Sequence, residues 1–506
     1  MTKQINKKRM AKNTLILYFR MFLVMGLALY TSRIVLDALG VEDFGIYNVV
    51  GGVVVMFEIF NSAMITSTQR FLSFYLGKRN FFMVSQVFTA SLKIHISIAL
   101  GLIAIGESLG LWILYEYINI PAGKENVALL VYQFALLSSA ISVIRAPFQA
   151  AIISKEKMSI YAYISVFENL LRLGIAFLLF IKDTERLFIY SILMCFSVII
   201  ITLTYILITL KFDQTFRLRK VTVTTLYKQI LNFSGWSILG GSSNMFAVQG
   251  VNIVINNFFG VSINAAIGIA HQVYVAVTSF VSNFQTAINP QLVKGHAAGE
   301  AKECNSLIMQ SSKFSYLLFW MLALPLLATS DSWLNIWLTT VPEYSSIFSQ
   351  ILIIYVLLDA LQGPMWIAIL ATGNIKNYQI VTSVLILSSI PIVILLMLIG
   401  FPPFVGVLVR VAVNFFLIFF RLSFLKKLLD FNISDYIKTV IFPIIVITIL
   451  STPLVWLCKG IENDFLQIII AVFTSVISVT ILVSIFALNK VQRIMVLNKI
   501  KSAFLK

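Results

Sequence analysis

The chain has 506 residues, 59% hydrophobic and only 12% charged, with a formal net charge of +17 and a mean hydropathy of +0.93. Soluble domains carry about 25% charged residues, so this composition excludes a soluble protein and defines a polytopic membrane chain. In a soluble protein the basic surplus would point to nucleic acid; here no nucleic-acid partner is expected, and the surplus is to be sought in the loops on one side of the membrane.

The opening MTKQINKKRMAKN is basic and runs into an apolar stretch. That stretch is too long for a signal peptide, is interrupted by Arg20 and lacks a small-residue cleavage site, so it is read as a retained first helix. Fourteen spanning segments follow from the apolar runs. They are Thr14–Leu36, Phe44–Phe74, Phe82–Ser108, Val127–Phe148, Ser159–Ile181, Leu187–Leu210, Leu231–Phe259, Ile263–Ile288, Leu307–Ala328, Phe348–Ala371, Tyr378–Gly400, Phe404–Leu425, Ile437–Leu457 and Phe465–Leu488. The linkers are short, and none has room for a folded domain.

With fourteen helices, alternate connections face alternate sides. Connections on one side, the termini included, hold 27 Lys and Arg, and those on the other hold four, namely Lys124, Lys182, Arg186 and Lys459. By the positive-inside rule both termini are expected in the cytoplasm. Arg70, Arg421 and Lys438, close to helix ends, are counted with the adjoining connections, which leaves seven basic residues within helices: Arg20, Arg33, Lys93, Arg145, Arg172, Lys313 and Arg410, against the acids Glu58, Glu168 and Asp359.

Two stretches echo one another. Residues 40–80 and 260–300 both open on Gly-Val, run a similar apolar length and leave through a glycine with basic residues. A second echo, P-x-x-x-A-I-[IL], stands at Pro147 to Ile153 and at Pro364 to Leu370, an offset of 217. Both point to a duplicated six-helix unit, with the copies related by an axis along the membrane normal. The expected division is 1–212 (helices 1–6), 213–430 (helices 7–12) and 431–506 (helices 13–14 and a cytoplasmic tail). Helices 13 and 14 show no polar stripe and are expected to face lipid or a lipid tail. Cys195, Cys304 and Cys458 have neither disulfide nor metal spacing and are expected as free buried thiols.

The first two helices of each copy carry polar faces. In helix 2, Tyr47, Gly51, Glu58, Ser62 and Gln69 fall within about 60° of one another at 100° per residue. Asn13, Arg20 and Thr31 do so in helix 1, as do Ser242, Gln249, Asn252 and Asn256 in helix 7, and Asn264, His271, Thr278, Ser282 and Asn289 in helix 8. The bland reading is interhelical hydrogen bonding at about 0.6 kcal/mol per pair. The functional reading is that four stripes at corresponding positions line one cavity. Its candidate substrate-binding residues are Arg20, Arg33, Glu58, Gln69, Lys93, Arg172, Gln249, Asn252, Asn256 and His271.

A charge at mid-membrane costs about 2.5–3.5 kcal/mol. Arg33, Arg145, Lys313 and Arg410 lie near helix ends and are read as snorkelling; Glu168 and Arg172, spaced i, i+4, form a local ion pair. Arg33 lies about 140° from Arg20, so one helix cannot aim both at one point. Surplus positive charge in a chain without a soluble domain points to transport of an anion. No Walker A pattern is present, so the chain does not drive itself with ATP.

The start NTLILYFRMFLVMGLALYTSRIVLDALGVEDFGIYNVVGG, followed by TSTQRFLSFYLG, resembles the MOP (multidrug/oligosaccharidyl-lipid/polysaccharide) superfamily, as does the layout of six plus six plus two helices. Within it the chain looks like the polysaccharide-transporter branch of Wzx-type flippases. The resemblance implies an all-α MATE-like fold and residence in a bacterial inner membrane. It implies a substrate, an oligosaccharide (O-antigen or capsule type) on undecaprenyl diphosphate, flipped from the cytoplasmic to the periplasmic leaflet. Helices 13 and 14 would offer a groove for the prenyl chain. It also implies a monomer in contact with membrane lipids and with polysaccharide polymerase machinery. No cofactor is expected beyond a coupling H⁺ or Na⁺, for which Glu58, Glu168 and Asp359 are the candidates. A lipid II flippase and a cation-coupled drug exporter of the MATE branch are the alternatives. A membrane enzyme such as an O-antigen polymerase is disfavoured, because the longest outer connection is about twenty residues.

Overall fold

The computed structural model describes residues 7–55, 58–116, 123–181, 185–212, 214–259, 261–338, 341–488 and 493. The helices are numbered in chain order. Helix α1 starts at Lys7 and breaks at Gly40 (φ 75, ψ 171), after which residues 41–55 are again helical; α2 is Glu58–Gly77. Then come α3 (Phe81–Glu116), α4 (Glu125–Ser154), α5 (Met158–Leu178), α6 (Arg186–Phe212), α7 (Thr225–Phe259) and α8 (Val261–Ala297). The remainder are α9 (Ala301–Ala328), α10 (Ser345–Thr372), α11 (Lys376–Leu398), α12 (Phe404–Leu429), α13 (Ile433–Gly460) and α14 (Asp464–Ala487).

Helices thus stand at every place where an apolar run was long enough to span. Twelve of them, among the described residues, are long and apolar enough to cross a membrane. The two stretches outside those twelve, α2 and α8, are the ones whose repeated sequence carries the most polar faces. One boundary differs: there is no loop before helix 2. Gly40 alone interrupts the helix, because a glycine adopts the positive φ (75°) of the kink without strain, and the helical run resumes after it.

The chain forms two compact units. Unit 1 is residues 1–242 with 289–299, and unit 2 is residues 243–288 with 300–506. Within unit 1, α3 packs on α4, α4 on α6 and α5 on α6; within unit 2, α9 packs on α10, α10 on α12 and α11 on α12. Each pair in one unit recurs six helices later in the other, so the duplication read from two short echoes is a duplication of packing. Leu102, Tyr132, Leu136, Val143 and Leu179 are core residues of unit 1, and Val251, Ile255, Phe348, Tyr355 and Val393 of unit 2. Apolar side chains also stand outward, among them Phe19, Tyr163, Leu207 and Phe473, as lipid contact demands.

Helices α13 and α14 correct one expectation. Their outer faces are apolar, with Phe442, Ile449, Phe473 and Ile477 exposed. Their inner faces, however, carry a polar seam onto α9 and the short helix after it. Trp320 Nε1 donates to Ser451 Oγ at 2.9 Å, Ser475 Oγ donates to the Met321 carbonyl at 2.8 Å, and Ser332 bonds Gln467. Short hydroxyl side chains in an apolar run look featureless in sequence, yet each bonds a backbone or side-chain group across the interface.

A second seam lies at one end of unit 1. The turn after α4 places Glu156 at φ 59, with its side chain only 3% exposed. Its carboxylate takes Lys294 Nζ at 2.6 Å and Gln291 Nε2 at 3.1 Å, both from the end of α8, while its carbonyl accepts Asn13 Nδ2 at 3.4 Å. The end of α2 touches the same segment: a Cβ on Gly77 would lie 2.5 Å from the Lys294 carbonyl oxygen. Gly77→Ala is therefore expected to destabilise the fold by about 1–3 kcal/mol, read as a lower unfolding midpoint in detergent, because backbone rather than a flexible side chain must yield.

Candidate functional site

The site in unit 1 is built by α1, α4, α5 and α6. Arg172 Nη2 donates to Glu168 Oε1 at 2.8 Å, the expected i, i+4 pair on α5. Arg145 of α4 stands against the same oxygen, its Nη1 3.6 Å away. That is an ion-pair distance but too long for a hydrogen bond. Arg145 is therefore not snorkelling: its side chain is 16% exposed, and its guanidinium lies 5.8 Å from the Tyr205 ring on α6. It sits two residues before Pro147, well inside α4, because that helix continues to Ser154. Arg20 of α1 lies 4.8 Å from the Tyr161 ring on α5. Tyr205 feels the charges of Arg145, Glu168 and Arg20 together, which puts these two arginines and the carboxylate in one neighbourhood. On the other side of Arg172, Tyr47 and Tyr190 pack ring to ring at 4.8 Å, and both feel its charge.

One carboxylate thus faces two guanidinium groups, with Arg20 on the neighbouring Tyr161 ring. Two guanidinium donors, Arg145 Nη1 and Arg172 Nε, are buried without a hydrogen-bond acceptor. Buried unmet donors are costly, more so on a charged group. Planar guanidinium forks with free donors are suited to phosphate or carboxylate oxygens.

Unit 2 holds a second cluster on α8, α10 and α12. Asn414 Nδ2 donates to Asp359 Oδ1 and to the Tyr355 carbonyl, both at 3.4 Å, and Gln362 Nε2 donates to Asn414 Oδ1 at 3.0 Å. Arg410, read from sequence as snorkelling, is 8% exposed and lies 5.3 Å from the Tyr355 ring. Arg421 Nε donates to Tyr378 Oη at 3.0 Å, and Asp359 feels the charges of both arginines. His271 stands at the edge of this group, its ring 5.4 Å from Tyr274, which in turn lies 6.1 Å from Tyr355. Asn244, Ser389, Arg410 and Asn414 line an adjoining cleft.

The repeat register is visible in the chemistry. Arg145 and Gln362 both stand two residues before the echoed proline, and each reaches helix six of its own copy, Arg145 to Tyr205 and Gln362 to Asn414. The same backbone position thus carries a cation in one copy and an amide in the other.

Other expected residues lie outside these clusters. Arg33 and Lys93 are exposed, as is Gln249. Gln69, Asn252 and Asn256 are half-buried, and Asn256 Oδ1 has no hydrogen-bond partner. The side chains of Gly51, Glu58, Ser62 and Asn264 lie outside the described part of the structure. Lys313, the other supposed snorkeller, is also buried at 8% exposure and donates to the Ala487 carbonyl at 2.8 Å, where α14 ends in a π-helical turn. Sequence reasoning missed Arg421, which was counted with the following loop although the apolar run continues past it. It also missed His95, fully buried on α3, whose Nδ1 meets the Ser91 carbonyl at 2.7 Å and whose Nε2 has no partner. Cys195, Cys304 and Cys458 are buried free thiols as expected. Among the described residues no group of His, Cys, Asp and Glu is placed to hold a metal ion.

No protein-family model matches the chain, and no curated protein matches it in sequence. Solved structures do match. An outward-facing multidrug-resistance MATE family transporter of the MOP superfamily aligns with a TM-score of 0.67 at 13% identity, over 80% of this chain and 92% of its own. A MATE protein in a bent conformation aligns with a TM-score of 0.69 at 14% identity, over 83% and 96%. A MOP superfamily transporter from Pyrococcus furiosus, described as having a binding pocket of reverse polarity that suggests a different function, aligns at 0.66 and 12% identity, over 82% and 96%. At these identities the likeness establishes the fold alone: the chain is an all-α polytopic membrane protein with a MATE-like fold.

Proposed function

We propose that the chain is a membrane transporter that flips a polyprenyl-diphosphate-linked oligosaccharide, of O-antigen or capsule type, from the cytoplasmic to the periplasmic leaflet of a bacterial inner membrane by alternating access. The observation that carries this reading is the arginine cluster of unit 1. Two guanidinium groups share one carboxylate, and a donor of each stands buried without an acceptor. A diphosphate supplies the missing oxygens. The same charge balance disfavours a lipophilic cation, the cargo expected of a drug exporter, because it would meet a like-charged wall. The solved MOP-fold protein described as having reversed pocket polarity fits a fold that serves cargoes of different charge.

Glu168 has a definite part in this scheme. It holds Arg172 at 2.8 Å and stands 3.6 Å from Arg145, so an arriving phosphate competes with it. Once displaced, the carboxylate takes up a proton or Na⁺, which couples the cargo to an ion gradient; Asp359 offers an equivalent acid in unit 2. Transport unchanged after both gradients are collapsed would contradict the coupling. Glu168→Gln is expected to tighten headgroup binding while uncoupling transport from the gradient, measured in proteoliposomes with and without an imposed gradient.

Complementation of a flippase-deficient strain tests the assignment as a whole. Arg20→Ala is expected to reduce glycan export while the protein still inserts at normal abundance. Full complementation by this variant would count against the cationic site. The lipid-linked intermediate that accumulates on deletion of the gene identifies the glycan, and accumulation of lipid II instead would move the assignment to the peptidoglycan precursor.

A further inference from the structure

Two packed helices of unit 2 leave one cation without an acceptor. Along α10, Tyr355, Asp359 and Gln362 recur at i, i+4 and i+7, and along α12, Arg410, Asn414 and Arg421 recur at i, i+4 and i+11, so each set shares one helix face. Part of this polar layer is closed by its own hydrogen bonds: Asn414 donates to Asp359, Gln362 to Asn414, and Arg421 to Tyr378. Arg410 stands outside that network. It is 8% exposed, its guanidinium rests 5.3 Å from the Tyr355 ring, and among the described residues it has neither a hydrogen bond nor an ion pair. Asp359 feels its charge but is not paired with it. The Tyr355 hydroxyl, on a residue also 8% exposed, has no hydrogen-bond partner either, and the same holds for the half-buried Asn244 of α7. All three line one cleft of about 240 Å³, its open mouth included.

The lining specifies the ligand. A guanidinium, a phenol and an amide offer hydrogen-bond donors at one place, and a buried cation with no acceptor is costly until one arrives. The guanidinium and the phenol keep accessible area toward the cleft rather than being sealed in the packing. The partner must therefore be an acceptor of negative charge. Its charge is set by the neighbours: Arg410 and Arg421 act on the one carboxylate of Asp359, which leaves a surplus of one positive charge. A single negative charge restores neutrality, whereas a doubly charged phosphate would overshoot it. A carboxylate also matches the planar guanidinium fork with two oxygens. Beyond the donors, Ile386, Val413 and Leu417 give the cleft an apolar wall, suited to the carbon face of a ring.

We infer that the cleft between Arg410, Tyr355 and Asn244 binds a carboxylate and, on the transport reading above, that this is the carboxylate of an acidic sugar in the glycan. Arg410 takes the two oxygens, with the Tyr355 hydroxyl and the Asn244 amide as further donors. Unit 2 thus reads a sugar acid, while the arginines around Glu168 in unit 1 are left to the diphosphate. Only the sugar source rests on the transport reading; the carboxylate site itself rests on the cleft.

The test uses full-length protein in a neutral detergent and reads the midpoint of thermal unfolding against ligand concentration, with ionic strength held constant by sodium chloride. Sodium glucuronate is expected to stabilise the wild type, and glucose, which lacks the carboxylate, is not. The apparent affinity for glucuronate is expected to fall at least thirtyfold in Arg410→Gln and about tenfold in Tyr355→Phe, which removes one hydroxyl and keeps the ring. It is expected to be unchanged in Lys426→Gln, which removes a cation near the other end of α12. Tyr355→Phe serves if Arg410→Gln fails to fold. No stabilisation by glucuronate, or an affinity undiminished in Tyr355→Phe and, where it folds, in Arg410→Gln, overturns the site. Acetate as effective as glucuronate overturns the sugar assignment in favour of a free carboxylate, and inorganic phosphate as effective overturns the charge argument. No lipid carrier is present in this measurement, so its failure is distinct from failure of the flippase reading, which is judged on diphosphate binding through Arg145.

Discussion

Glu156→Ala lowers stability by about 3–5 kcal/mol, the largest single effect expected of any substitution outside the hydrophobic cores. The reason is the state in which it leaves Lys294. That ammonium is 10% exposed and has Glu156 Oε1 at 2.6 Å. Removing the carboxylate takes the 2.6 Å partner from a buried ammonium and leaves Gln291 Nε2 without its 3.1 Å acceptor. The conformation of the turn adds to the argument, since a glutamate at φ 59 is held there by its contacts rather than by preference. Thermal unfolding in detergent is expected to show a large drop for Glu156→Ala and a similar one for Lys294→Ala. Glu156→Gln combined with Lys294→Met removes both charges and is expected to recover most of the loss. If the double variant is as unstable as the singles summed, the pair is not the source of the stability. A labelling experiment adds the functional consequence: a cysteine at Gly299, beyond the pinned segment, is expected to react faster with a water-soluble thiol reagent in the Glu156→Ala background.

Arg145→Ala weakens binding of the lipid-linked diphosphate by about thirtyfold or more, on the scale of 2–5 kcal/mol for truncating one partner of a buried charge contact. Arg172→Ala acts in the same direction but less, because its side chain is 42% exposed against 16% for Arg145 and water takes up part of the loss. Arg145→Lys discriminates between charge and shape. It keeps the charge but loses the planar fork, so an intermediate affinity is expected where two oxygens are held at once. Binding by purified variants, with export in a flippase-deficient strain alongside, measures both. Equal affinity in wild type and Arg145→Ala would remove the arginine cluster from the binding machinery.

Much of the fold was legible because membrane helices are forced by length and hydropathy alone. The apolar runs locate the helices, and one glycine, Gly40, is all the chain uses where a loop was expected. The duplication was legible from two glycine-led stretches and one proline motif, because each marks a place where backbone shape, not chemistry, is repeated. The sites were harder. Arg145 was assigned to a helix end because the apolar run stops at Phe148 whereas α4 continues to Ser154. Arg410 was assigned to one although α12 starts at Phe404 as expected, because what buries it, the Tyr355 side of α10, is not local in sequence. Two buried cations were thus read as snorkelling. Pro147 in the interior of α4 was the signal that could have corrected the first. Glu168 with Arg172 was found because i, i+4 spacing is local, whereas the third member, Arg145, comes from another helix, and nothing local in sequence announces it. The Glu156 pair was invisible for the same reason, with 138 residues between its partners. The hydroxyls of α13 and α14 were overlooked because reading a membrane helix by its charges gives no weight to Ser and Thr, although Ser451 and Ser475 are both fully buried at the seam.

The central claim is that the guanidinium groups around Glu168 recognise phosphate on a lipid carrier. Its most direct measurement is the affinity of the purified full-length protein for a polyprenyl diphosphate against the matching polyprenyl alcohol, repeated in the Arg145→Ala/Arg172→Ala variant. The account predicts that the diphosphate binds the wild type at least a hundredfold more tightly, about 3 kcal/mol, and that the double variant loses most of this preference. Equal binding of diphosphate and alcohol by the wild type, or a preference untouched by removing both arginines, would contradict it.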